Sequence, residues 1–428
     1  MSKRIPIFAL AAVLVLTSLA AANGLNLNGL GTRAQAMGGA VVGIADDFSA
    51  VFWNPAGAAG FRKEMFGFCA TDLMPRAAYH YESGMPSYSV NAKADLSHYI
   101  GFLGAYYKPI GSKVVVGLGI GTPSSQGIVW DGSDFTGWSD GTAYGWSRKT
   151  TVFSFSPLLA VKLNEWLSVG ITLNINLGTF NLMMPGGSWP LGEGGEHVDV
   201  GQYEESMTGW GFGATFGVLA KPIDKLGIGF AVRTPSTISY NGTARLSNLS
   251  LFGLPDSSAL ERKTTWPLGI AGGVSFRPVE RLLLSADVQW TQWSKLGRIT
   301  TDYLEPAWPD YYVVQVFLGD YSLYQKDVTQ IRFGVEYLLK AATALRAGYY
   351  HDPGPGMPGM RMEPLYPGLT SNAFSIGVGK TIGDLQLDFG LEYLTGKRED
   401  LFYGIFDGGS RTFNMKTVIP SVSVQYKF

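Results

Sequence analysis

Near its end the chain alternates in character: Val418, Pro420, Val422, Val424, Tyr426 and Phe428 are apolar, and Ser421, Ser423, Gln425 and Lys427 between them are polar. Successive side chains of a strand point to opposite faces, so this segment has one apolar and one polar face. The same period recurs upstream. From Trp166 to Thr179, Leu167, Val169, Ile171, Leu173, Ile175 and Leu177 alternate with Ser168, Gly170, Thr172, Asn174 and Asn176. Leu282, Leu284, Ala286, Val288 and Trp290 alternate with Ser285, Asp287 and Gln289, with Leu283 out of phase. Ile331, Phe333, Val335 and Tyr337 alternate with Arg332, Gly334 and Glu336, and Leu385, Leu387, Phe389 and Leu391 with Gln386, Asp388 and Gly390. One such run is a weak sign of a membrane strand, but its repetition along the chain is a strong one. In one strand the second face is glycine, with Gly209, Gly211, Gly213 and Gly217 opposite Trp210, Phe212, Phe216 and Val218, which leaves space in a lumen.

The connections also alternate, between short and long. Short ones lie at 108–113, 162–165, 221–225, 277–280, 340–343 and 381–383; long ones lie near 73–97, 123–147, 181–206, 239–262, 295–326, 353–371 and 397–415. Six short and seven long connections join fourteen strands, with both chain ends on the short-turn side. Bacterial outer-membrane barrels have even strand counts, short periplasmic turns and long outer loops. Pairing the last strand with the first removes the sheet edge, which would otherwise invite aggregation. The expected fold is therefore all-β: a transmembrane antiparallel β-barrel of 14 strands.

Composition agrees with lipid on the outside. Charged residues are 16% of the chain against about 25% in ordinary soluble domains, and 56 of 428 residues are glycine. Lys and Arg number 33 and Asp and Glu 34, a balance that gives no reason to expect nucleic acid as a partner. Cys69 is alone, so no intrachain disulfide is expected. At the N-terminus Lys3 and Arg4 precede an apolar run from Ile5 to Leu19 and then Ala20, Ala21 and Ala22, the pattern of a signal peptide over residues 1–22. No later stretch has the roughly 18–20 continuous apolar residues that a membrane helix needs, so any crossing is made by strands.

Residues 23–60 precede the first strand and do not alternate, and the barrel is assigned to 61–428. The leading segment contains Gly29-Leu-Gly31, Gly38-Gly-Ala40, Ile44-Ala-Asp46-Asp47-Phe48, and Val51-Phe-Trp-Asn54-Pro55-Ala56. Asn54 before Pro55 suits a helix N-cap with proline in the first turn, and the small residues allow close packing. A segment of this kind at the short-turn end of a wide barrel is expected to fold back inside as a plug.

These motifs resemble the N-terminal hatch of the FadL/TodX (OmpP1) family, outer-membrane transporters of long-chain fatty acids and other hydrophobic compounds in Gram-negative bacteria. Arg233 to Gly242, Ala286 to Ser294, Ile331 to Tyr337 and Leu345 to Pro353 are similar to further family segments in the family's order. The resemblance implies a hatch-plugged monomeric barrel that passively takes up hydrophobic molecules, with long-chain fatty acids first and aromatic hydrocarbons as the alternative. It further implies capture among outer loops and lateral release into the outer-membrane lipid through a gap at a kinked third strand. Lateral exit is physically sensible, since an oily molecule gains nothing from a water-filled pore.

That third strand is read as Lys113 to Thr122. Val115, Gly117, Gly119 and Gly121 lie on one face, and Thr122-Pro123 follows. Proline donates no ladder bond and glycine packs little, so two readings stand at Gly119, Gly121, Thr122 and Pro123: a bulge that opens a lateral gate, or simply the strand end. For the ligand, Met183, Met184, Trp189 and Leu191 give an apolar outer segment, which otherwise packs on neighbouring loops. Lys326 aligns with a family lysine that contacts the carboxylate, while the partner arginine, expected within 174–180, is absent. Arg332 and Arg346 on polar strand faces are the candidate substitutes, with Glu336 or Asp388 as competing ion-pair partners, and Trp293 is a candidate ligand contact.

Catalysis is not expected. The four histidines, His80, His98, His197 and His351, form no recognisable site, and neither a Gly-x-Ser-x-Gly nor a His-Glu-x-x-His motif occurs. No cofactor or metal is called for. A general porin is disfavoured by the plug, and a barrel acting as an anchor or shuttle in secretion or envelope assembly is the remaining alternative.

Overall fold

In a computed structural model, the structure describes residues 29–428 apart from 85, 192–195, 312–313, 315–317, 341, 357–362 and 404–407. The expected signal peptide at 1–22 lies outside the described residues. Fourteen wall strands follow in chain order: β1 Met65–Glu82, β2 Tyr99–Ile110, β3 Val114–Trp130, β4 Trp146–Lys162, β5 Leu167–Pro185 and β6 Gln202–Ile223. Next come β7 (Leu226–Arg233 and Ser236–Leu246), β8 (Ser257–Trp266 and Gly269–Val279), β9 (Leu282–Thr291 and Arg298–Tyr303), β10 Val328–Leu338 and β11 Thr343–Asp352. The last three are β12 Ser371–Ile382, β13 Leu385–Tyr403 and β14 Gly408–Lys427. Each pairs antiparallel with its neighbours, and β14 closes on β1 from Met65↔Lys427 to Glu82↔Ser410.

The wall is inside out, as the alternation requires. On β14, Val422 and Tyr426 are exposed while Ser421, Ser423 and Gln425 are buried. Phe212, Ile376 and Phe389 each expose more than half of their surface on the outer face. In water such a belt would be costly; in hydrocarbon it is neutral, so the polar positions form the core.

Several strands run beyond the ends that alternation marks. The connections read near 123–147 and 181–206 shorten because β3 continues to Trp130 and β5 to Pro185, with β6 starting at Gln202. Ladder bonding continues above the lipid, where the outward residues no longer need to be apolar and the sequence signal fades. Met183 and Met184 therefore lie on β5 rather than in a loop. Met184 and Leu182 point inward and are buried.

The segment before β1 lies in the lumen at the short-turn end. It holds α1 Thr32–Ala36, α2 Ala50–Trp53 and a 3₁₀ turn Pro55–Gly60. Its bonds go to the wall on every side. Gly31 N reaches Cys69 Sγ on β1, Val51 N reaches the Tyr107 hydroxyl on β2, and Thr172 on β5 donates to Val51 O. The Ser275 hydroxyl on β8 donates to Gly43 O, Val42 N donates to Asp287 on β9, and Gly38 N donates to Ser375 on β12. Gln35 Nε2 donates to Ile419 O, and Phe48 N to Gln425 Oε1, both on β14. Gly38 has a positive φ of 63°, and a Cβ there would sit 2.8 Å from Tyr349 N, so glycine is what lets the hatch lie against the wall.

Candidate functional site

Arg33 ties the hatch to β10. Its Nε and Nη2 donate to Glu336 at 2.8 and 3.0 Å, and its Nη1 to Asp46 at 2.5 Å. Arg346 reaches the same Glu336 at 2.7 Å and Asp388 at 2.6 Å, so this candidate head-group cation sits inside a closed ion network. Asp47 accepts from Ser49 N at 2.8 Å. Burial pushes both hatch carboxyls up; at Asp46 the Arg33 and Lys221 cations more than reverse this and its pKa falls, whereas at Asp47 burial prevails and its pKa rises.

Asn54 caps the 3₁₀ turn, its Oδ1 accepting from Ala56 N at 3.2 Å, with Pro55 in the first turn. Its Nδ2 donates to Val42 O at 2.9 Å and, across the interface, to Val218 O on β6 at 3.0 Å. Asn54 and Ala56 are fully buried. Asn54→Ala removes the cap and two buried bonds; we expect a loss of about 2 kcal/mol, read as a lowered urea midpoint for unfolding in detergent.

Above the hatch two cavities follow one another. The lower, about 70 Å³, has an apolar wall of Leu30, Val51 and Phe52 from the hatch and Leu103 from β2. Opposite stand Ser154, Ser156, Asn174, Asn176, Thr215 and Ser236. These satisfy one another, Asn174 Nδ2 donating to Thr215 at 3.0 Å and Asn176 Nδ2 to Ser236 at 2.9 Å. Arg233 from β7 also lines this cavity. The upper cavity, about 160 Å³, is lined by Leu73, Leu369 and Met415 together with Arg148, Tyr350 and Glu392. The Arg148 guanidinium lies 4.5 Å from the centre of the Tyr366 ring, and Tyr350 donates to Glu392 at 2.6 Å.

An interruption of the backbone ladder adjoins the lower cavity. Among the described residues the β2–β3 ladder ends at Leu103↔Gly121. On its other side β3 pairs Gly121 with Ser154 and Ser124 with Val152, so β3 carries one extra residue there. This is a bulge. The Thr122 hydroxyl accepts from Phe102 N at 2.8 Å in place of a ladder carbonyl. Further out, Asp95 N donates to Val129 O at 2.8 Å and Ala94 bridges Trp130, which closes the wall again. Pro123 thus does not end the strand, and Gly119, Gly121 and Pro123 line the lower cavity beside the break.

The other candidates are spread out. Lys326 is exposed, directly after the cavity-lining Gln325, and its backbone N bonds to Pro355 O. Trp293 is buried with Leu296, Ile299, Leu323 and Val328 in a cluster under the outer loops. Trp189 and Leu191 belong to a small hairpin, Ser188–Leu191 with Glu196–Asp199, and their side chains lie outside the described residues. Arg332 pairs with neither Glu336 nor Asp388 by any described bond, because Arg33 and Arg346 occupy that site. It bonds Gln330 at 2.5 Å and lies 5.1 Å from the Trp53 ring centre. Sequence reasoning missed Arg148 and Arg233. Arg148 shares the inward phase of Thr150, Val152 and Ser154, and that parity was the available signal.

The comparisons with known proteins agree with this build. The family model described as outer membrane protein transport protein (OMPP1/FadL/TodX) matches residues 13–428. A FadL homologue from Pseudomonas aeruginosa superposes with a TM-score of 0.76 at 16% identity, covering 95% of this chain and all of its own. The toluene transporters TodX of P. putida and TbuX of Ralstonia pickettii give TM-scores of 0.71 and 0.67 at 16% and 17% identity, each covering 94% of this chain and 99% of its own. No curated protein sequence matches this chain significantly. A lipid-facing belt around a lumen that holds the hatch, with a family match along nearly the whole chain, makes this protein an outer-membrane transport channel, not an enzyme, and a member of the OMPP1/FadL/TodX family of hydrophobic-compound transporters.

Proposed function

We propose that the protein passively takes up hydrophobic molecules, long-chain fatty acids first among them, and releases them sideways into the membrane between β2 and β3. The observation that carries this reading is the bulge at Gly121–Ser124, where the β2–β3 ladder stops beside a cavity whose floor is the hatch. A molecule leaving there passes from an apolar wall directly into lipid tails and never meets the water below the floor. The upper cavity with Arg148, and Lys326 nearby, suits a molecule with an acidic head and an oily tail.

A monoaromatic cargo is the second reading. The upper cavity of about 160 Å³ is close to the roughly 150 Å³ in which a benzene ring binds an engineered protein cavity, and two of the similar structures are toluene transporters.

Native mass spectrometry of the barrel taken from membranes into lipid nanodiscs, without detergent, tests the proposal. We expect a bound fatty acid or comparable lipid, and no swelling of proteoliposomes in sugars. An empty barrel, or swelling with sugars, overturns it.

A further inference from the structure

The lower cavity holds a cation whose described contacts include no carboxylate. Arg233 Nη2 donates to Phe52 O at 2.9 Å, and the guanidinium lies 4.3 Å from the centre of the Phe52 ring. Among the described residues no carboxylate lies within ion-pair distance of it, whereas Arg33, Arg262, Arg346 and Arg411 inside the same barrel each pair with an Asp or Glu. A guanidinium has five N–H donors, and this one spends a single described bond on a backbone carbonyl. Even a partly buried charge is costly when its described contacts include no counter-charge, so a fold keeps one where an opposite charge arrives from outside. The polar groups around it are neutral and already satisfied by one another, Asn174 by Thr215 and Asn176 by Ser236, so they offer no counter-charge.

From this we infer that Arg233 is the binding site for the carboxylate of an amphiphilic acid in the lower cavity, at the threshold of the β3 break. The assignment rests on the uptake reading above and narrows its cargo. The apolar side formed by Leu30, Val51 and Leu103 takes the start of the tail, and Gly121 and Pro123 on the same cavity lead it toward lipid. The guanidinium holds the head while the tail partitions outward, which orients the acid tail-first for release.

The test is a titration of the full-length barrel in nanodiscs with a long-chain carboxylic acid and its methyl ester, for wild type, Arg233→Gln and Arg233→Lys. We expect wild type to prefer the acid on the order of tenfold or more, as for a charge-assisted bidentate bond. Arg233→Gln abolishes the preference because the acid loses far more affinity than the ester, and Arg233→Lys restores part of it. A structural role through Phe52 would instead weaken acid and ester alike. Acid preference that survives in Arg233→Gln, equal binding of acid and ester by wild type, or parallel loss of both ligands in the variant overturns the Arg233 assignment alone. Failure of wild type to bind either ligand overturns the uptake reading together with it.

Discussion

Deletion of Pro123 should reduce uptake of hydrophobic cargo to that of protein-free vesicles while leaving a folded barrel. Between the pairs Gly121↔Ser154 and Ser124↔Val152, β3 advances three residues and β4 two. Removing one residue from β3 brings the two strands into equal step, and every pairing on either side is kept. The deletion therefore does not turn Ser125 to Trp130 onto the wrong face, as a one-residue slip elsewhere in a strand would. It also removes a residue without an N–H, so the ladder toward β2 can extend past Gly121 and shut the break. Heat-modifiable migration on a gel reports folding, and transfer of a labelled fatty acid into proteoliposomes reports the route. Unchanged transfer through a folded deletion variant would show that the cargo leaves elsewhere.

The second large effect is expected at Arg33. Arg33→Ala takes from the buried Glu336 one of its two arginines and from the exposed Asp46 its partner; with Arg346 still on Glu336, losing hydrogen bonds to a charged group costs about 1.5–3 kcal/mol. Much of that cost is the buried Glu336 Oε1, which loses the donor Arg33 gave it. The double variant Arg33→Met with Glu336→Gln should recover a good part of it, while Arg346 keeps Asp388. Because Arg33 links hatch to wall, the loss should also appear as ion conductance across planar bilayers and as entry of large hydrophilic antibiotics into cells. An Arg33→Ala barrel with parent-like unfolding midpoint and conductance would remove the network from any role in holding the hatch.

The barrel was legible because lipid makes alternation compulsory: Val422 and Tyr426 outside with Ser421 and Gln425 inside leaves only one way to place β14. The cap at Asn54-Pro55 was legible for a local reason, since amide side chain and ring act within three residues of the backbone. Strand ends were less so, because above the lipid the outward residues are free to be polar, and Met183 and Met184 read as loop while lying on β5. The cation roles were least legible. Which arginine meets Glu336 depends on residues about 300 positions apart, Arg33 and Glu336, and no periodicity reports that juxtaposition. Arg148 and Arg233 carry only their inward parity as a local sign, and parity does not say which inward arginines have acidic neighbours.

The hatch bonds to strands around the whole circumference, and this bears on how a cell can run such a device in a membrane meant to exclude toxins. When the exit is in the side of the cylinder, nothing at its base has to move for a molecule to pass. Cargo flux and the permeability barrier then become separate properties, each set by different residues. Under the proposed lateral route, the bacterium would admit oily compounds through this protein without opening a hole for detergents, dyes or drugs.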